Sequence, residues 1–186
     1  MKLLKRFMIL AFLCIFFTSM QACESENTIE SQHAPLNYNQ TYTIGVKANG
    51  YETKGKMSID RNHKLYFHHE APDSALFGME EWADEETYEA RYKGIEWKTT
   101  EVVTETVRLQ RIVSVILSND PHEKSTDSQG GIAAKKHTYQ TESGSIVLWV
   151  DKKNQNPIKI QASENGRDYE INFYQESSPN ESITIK

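Results

Sequence analysis

Strict two-residue alternation in the C-terminal part of this chain, Lys136 to Gln175, constrains its fold more than any other feature. Ile146, Leu148 and Val150 fall at every second position, as do Ile158, Ile160 and Ala162, and then Tyr169, Ile171 and Phe173, with Lys159, Gln161, Glu170 and Asn172 interleaved. Successive side chains of a strand point to opposite faces, so each run has one apolar and one wet face. The polar breaks at Glu142–Ser145, Asp151–Pro157 and Glu164–Arg167 hold the Gly, Asn and Pro of hairpin connections. The stretch predicts a four-stranded antiparallel meander. A sheet with one apolar face must have that face covered, and what covers it bears directly on function.

The same period opens the domain. Tyr42, Ile44, Val46 and Ala48 alternate up to a turn at Asn49-Gly50; Met57 and Ile59 follow; Asp60–Asn62 turns the chain; Leu65 and Phe67 share a face of a third strand over His63–His69. Ala71–Gly78 is a break carrying two exposed-looking apolar residues, Leu76 and Phe77, and two further strands are predicted at 87–92 and 95–100, joined at Lys93-Gly94. Then the period changes. Leu109, Ile112, Val113, Ile116 and Leu117 recur at spacings of three and four, which predicts an amphipathic helix over 105–117, begun by Thr104 or Thr106 and wetter at Arg108 and Arg111. Its many β-branched residues make a strand the rival reading. Ser118–Pro121 ends it, and a polar, Gly-containing loop is expected through Gly131.

The expected class is therefore mainly β, an α+β chain of about nine strands and one helix, in a domain spanning 41–175 with a tail at 176–186. Twist accumulates across so wide an antiparallel sheet and curls it. The concave apolar side then faces the one long element able to lie in it, the helix.

Residues 1–22 read as a secretory signal: Lys2, Lys5 and Arg6 precede an apolar run from Phe7 to Phe17, and small Ala22 stands before Cys23. The run is short for a membrane span. The segment resembles a bacterial lipoprotein signal, which implies that Cys23 carries a diacylglyceryl group and a further acyl chain such as palmitate. Cys14 lies within the removed segment, so the mature chain keeps Cys23 alone and forms no internal disulfide. Two or three acyl chains anchor a domain to a membrane far more firmly than one. Residues 23–40 are then the lipidated cysteine and a polar tether. Loss of residues 1–22 removes three basic and no acidic side chains and takes the formal charge from -5 to -8. An acidic mature domain makes nucleic acid an unsuitable partner.

Motifs for chemistry are few. His68 and His69 point to opposite faces of a strand and cannot share an ion without distortion, so with His63 they read as polar groups on a sheet surface or rim. His122 and His137 stand alone in polar surroundings. Glu80-Glu81 and Asp84–Glu86 lack calcium-loop spacing and read as a solvated turn. The sequence holds no nucleophile elbow, phosphate loop or dinucleotide fingerprint. No cofactor and no catalytic group is expected. Trp82, Trp97 and Trp149 read as core filling, with ligand stacking as the alternative.

Taken together, Leu148–Asp151, the polar turn, Asn156–Ile160 and the closing Tyr169-x-Ile171-x-Phe173 strand resemble the final sheet of the LolA/LolB-like lipoprotein carriers and related lipid-binding lipoproteins. Ala71–Met79, Tyr92–Ile95 and the helix ending Val115–Leu117 are similar to anchored members of that superfamily. The resemblance implies a curved antiparallel sheet forming an incomplete β-barrel, with a helix covering an apolar cavity for the acyl chains of a lipid or a lipoprotein. It places Ile44, Val46, Met57, Ile59, Leu65 and Phe67 on the cavity wall of the first half. Leu148, Val150, Ile158, Ile160, Ile171 and Phe173 line the second, and Leu109, Ile112, Val113 and Ile116 the covering helix. The chain departs from the soluble carriers in having no amphipathic pattern before its first strand. Two functions stay open: a membrane-anchored, non-enzymatic lipid binder acting as carrier or sensor, and an anchored scaffold with a filled core acting through protein contacts. A mouth lined by Leu76 and Phe77 favours the first, and a core that consumes them favours the second.

Overall fold

The computed structural model describes residues 35–72, 74–100 and 104–175. The signal segment, Cys23, most of the tether and the tail at 176–186 lie outside them. The described residues form the strands β1 (Tyr42–Ala48), β2 (Tyr51–Ile59), β3 (Leu65–His69), β4 (Glu80–Ala83), β5 (Tyr88–Tyr92) and β6 (Ile95–Thr99). The helix α1 (Glu105–Ser118) follows, then β7 (Glu123–Gln129), β8 (Ile132–Thr141), β9 (Gly144–Asp151), β10 (Pro157–Glu164) and β11 (Arg167–Tyr174). Every pairing is antiparallel, in one 11-stranded sheet ordered β6-β5-β4-β3-β2-β1-β11-β10-β9-β8-β7. First and last strands meet at its centre, while β6 and β7 are its two edges. The sheet is curved but not closed into a barrel, because those edges do not pair with each other. The helix stands between them in sequence, and it lies on the concave side with Leu109, Ile112, Val113 and Ile116 in the sheet's core.

Alternation becomes burial with few exceptions. Across the centre of the concave face Ile160, Ile171 and Val46 form one row of cross-strand partners, and Leu148 stands opposite Ile160. Tyr42, Met57 and Phe67 form another. Gly55 is required in β2 because a Cβ there would lie 2.1 Å from the His68 carbonyl oxygen and 2.8 Å from the Phe67 ring. The helix begins where the hydroxyl of Thr104 accepts from the Val107 amide at 3.2 Å, an N-cap that satisfies one of the first turn's free donors.

Four parts of the sequence reading change. β4 and β7 are strands where a turn and a loop were expected; β4 has only four residues and β7, Glu-Lys-Ser-Thr-Asp-Ser-Gln, has no apolar alternation to announce it. Pairing with β8 makes β7 a strand, helped by the Trp149 indole N–H, which donates to Asp127 at 2.8 Å. The folded part begins earlier than Thr41: Leu36, expected in the tether, is 1% exposed and belongs to the core. Pro157 pairs with Val150 and Lys159 with Trp149, so Ile158 is the extra residue of a bulge and is only half-buried.

Candidate functional site

The concave interior is the candidate site. Of the residues expected on its wall, Ile44, Val46, Met57, Ile59, Leu65 and Phe67 from the first half are all buried in one core cluster. Leu148, Val150, Ile160 and Ile171 join them from the second, and Leu109, Ile112, Val113 and Ile116 from α1. Phe173 is half-buried and packs edge-on against Tyr42, ring centres 5.5 Å apart at 87°. Ala162 and Tyr169, which the alternation put on the apolar face, belong to the same cluster, and so do Leu36 and Tyr139, which it did not single out.

Within this interior lies a polar group that the sequence reading placed elsewhere. His69, expected at a surface or rim, is 2% exposed, and Glu81, expected in a solvated turn, is 6% exposed. Both lie on the concave side, since Glu81 pairs with Phe67 and His69 with Gly55. The His69 Nε2 stands 2.6 Å from Glu81 Oε2, and the Thr106 hydroxyl on α1 donates to the same oxygen at 2.7 Å. The Tyr88 hydroxyl donates to Glu81 Oε1, and Thr53 Oγ1 lies 3.1 Å from His69 Nδ1. Burial pushes the Glu81 carboxyl upward, but hydrogen bonds from His69, Tyr88 and Thr106 outweigh it and hold the group below its ordinary value. Burial, then the Glu81 bond, pushes the Tyr88 hydroxyl well above its usual range. An ionised Glu81 is an acceptor only, so His69 carries its proton on Nε2. One signal in the sequence pointed to His69: it continues the Leu65, Phe67 alternation. Glu81 had only Ala83 as a neighbour of the same parity.

Three further contacts hold the helix to the sheet. Arg108 donates to the Tyr169 hydroxyl at 2.7 Å, Gln110 Nε2 donates to the His63 carbonyl at 2.9 Å, and Arg167 lies 3.8 Å from Glu105. Gln110 is fully buried and its Oε1 has no hydrogen-bond partner among the described residues. His137, expected in polar surroundings, lies opposite Leu148 on the concave side; burial, then Lys124 and Lys135, lowers its pKa.

At the β4–β6 end the interior meets solvent. One transverse row runs Phe67, Glu81, Ala90 and Trp97, so buried Ala90 is followed on the same face by Trp97, 46% exposed. Ile95, opposite Tyr92, is 57% exposed and Phe77 54% exposed, while Leu76 is half-buried. The Tyr92 hydroxyl donates to the Ala75 carbonyl at 2.8 Å, tying the loop of Leu76 and Phe77 to β5. The other tryptophans sit on the convex side: Trp82 packs on Tyr66 and under Arg91, and Trp149 lies between β8 and β10. A cleft of about 670 Å³ opens at the β1–β2 turn, walled by Lys47, Glu52 and Glu170 and by Ala48, Ala162 and Tyr169 of the core cluster. Among the described residues no group of three or more His, Cys, Asp or Glu side chains could hold a metal ion, and no helix is long and apolar enough to cross a membrane.

No protein-family model matches this chain, and no curated protein matches it. Among solved structures it is similar to the lipoprotein LppX of Mycobacterium tuberculosis, at 8% identity over 75% of this chain and 87% of that one, with a TM-score of 0.41. LprF of Mycobacterium bovis matches at 11% identity over 75% and 86%, TM-score 0.41. A LolA superfamily protein of Nitrosomonas europaea matches at 10% identity over 78% and 91%, TM-score 0.35.

Proposed function

We propose that this chain is a lipid-anchored protein of the bacterial cell envelope, held to a membrane through Cys23, whose domain takes up an acyl chain of a lipid or of another lipoprotein between α1 and the concave sheet. It acts as a carrier or sensor, without catalysis. The observation that carries the reading is the fate of Leu76 and Phe77. The core does not consume them: Phe77 is 54% exposed, on a loop tied to the margin where the apolar face runs out to solvent. Exposed aromatics beyond the small apolar group of Ala83, Ala90 and Val107 suit the entry of a chain, and each methylene moved from water into apolar surroundings contributes about 0.8 kcal/mol. Entry requires α1 to yield, and the few polar contacts that hold it, Thr106 to Glu81 and Arg108 to Tyr169 among them, are the ones that would break.

The second reading, an anchored scaffold with a filled interior, draws support from the packing itself, since Leu148, Ile160, Ile171 and Val113 have no exposed surface. Native mass spectrometry of residues 24–186, purified without detergent, separates the two. The lipid reading expects an adduct of lipid mass that Phe77→Asp weakens while leaving the circular dichroism unchanged, and that Ile112→Asp abolishes. Bare protein in repeated preparations, with no uptake of added phospholipid, decides for the scaffold.

A further inference from the structure

The two edges of the sheet are built differently. β7 offers only polar and charged side chains, whereas β6 carries exposed Ile95 and Trp97. Charged edges discourage pairing with another chain, and an apolar one invites it. The backbone of β6 fixes which groups are on offer. Lys93 and Gly94, at φ 51° and 80°, form a two-residue turn between Tyr92 and Ile95. In such a hairpin the residues flanking the turn exchange both backbone hydrogen bonds, and every second pair after them does so again. Ile95 and Trp97 therefore direct their N–H and C=O groups to β5, and Glu96 and Lys98 direct theirs outward.

We propose that β6 is a dimerisation edge: it pairs antiparallel with β6 of a second copy about a two-fold axis at Trp97, setting Glu96 opposite Lys98 of the second copy. Charge and register select this occupant. Self-pairing through the outward groups allows Glu96 opposite Glu96, Lys98 opposite Lys98, or Glu96 opposite Lys98. The first two bring like charges together, and the third matches opposite charges twice by symmetry. On the convex side it extends pairs already present, Lys98 with Glu89 at 2.8 Å and Arg91 with Glu96 at 2.8 Å, into an alternating row across the seam: Glu89, Lys98, then Glu96 and Arg91 of the second copy. On the concave side Trp97 meets Trp97 in the closer, non-hydrogen-bonded kind of pair, and Ile95 meets Thr99. The pairing requires neither a cavity nor a ligand, so it stands apart from the lipid reading.

Full-length chains carrying two different tags, co-expressed and co-purified in mild detergent, test it. Wild type is expected to retain its differently tagged copy. Glu96→Lys alone sets lysine against Lys98 at both ends of the seam, Lys98→Glu alone sets glutamate against Glu96, and each is expected to lower self-capture at least tenfold. The two variants co-expressed are expected to capture one another at the wild-type level, since every lysine then faces a glutamate. Thermal unfolding of each variant shows that it is folded, because the exposed pairs these changes disturb contribute little to stability. Absence of wild-type self-capture, single variants that self-associate like wild type, or folded variants that fail to capture each other would each overturn the proposal.

Discussion

Replacing Glu81 with methionine, which keeps the length of the side chain and removes both acceptors, isolates the buried polar group. The change leaves three donors facing an apolar side chain: His69 Nε2, the Thr106 hydroxyl and the Tyr88 hydroxyl. Each buried donor left without a partner costs about 1–3 kcal/mol. Rotation of the two hydroxyls recovers part of this, so we expect a loss of about 4 kcal/mol, a large share of the 5–15 kcal/mol that stabilises a typical domain. At about 3 °C per kcal/mol for a chain of this size, the midpoint of thermal unfolding falls by about 12 °C. Urea unfolding followed by tryptophan fluorescence at pH 7 measures the loss directly. The dependence on pH has a definite sign. The Glu81 carboxyl is held below its ordinary value of 4.5, so near that pH the unfolded chain binds the proton more readily than the folded one. The stabilisation is complete above the ordinary value and is lost as the pH falls through the lower, folded one. The gap between wild type and Glu81→Met therefore narrows below about pH 4.5. A loss under about 1 kcal/mol at pH 7, or a gap unchanged by acid, would show that the Glu81 carboxylate is not what holds these donors.

Three other outcomes follow from single contacts. Thr104→Ala removes the N-cap acceptor of α1 and lowers stability by about 1 kcal/mol in urea unfolding. Ile112→Ala, at a position 1% exposed beneath the helix, leaves a cavity and costs about 3 kcal/mol, with a proportionate fall in the urea midpoint. Asp127→Ala deprives the Trp149 indole of its partner, so amide exchange in β7 quickens relative to β10 while the total stability changes little.

Much of the concave wall was legible because a strand has only two faces. Once Ile146, Leu148 and Val150 share one, a register in which all three are buried is the only one that satisfies the apolar surface. The change of period at Leu109 to Leu117 pointed to α1 over a rival strand, with Thr104 or Thr106 at its start, and the Val107 amide makes Thr104 the cap. Where the period fails the signal is lost: β7 has no apolar residue, β4 is too short to show alternation, and the bulge at Ile158 breaks the count by one.

Local alternation thus set a one-sided antiparallel sheet, its helix and most of the apolar side chains that face inward, because it dictates facing before any distant contact forms. The buried polar group and the outlying apolar side chain on that face came only with the assembled fold. Glu81 reads as a solvated acid until β3, β5 and α1 converge to bring His69, Tyr88 and Thr106 around its carboxylate. Leu36 reads as tether until the sheet curls over it. Each depends on donors or apolar surface brought in from residues remote in the chain, and burial of a charge or of an isolated side chain is favourable only after those partners are assembled.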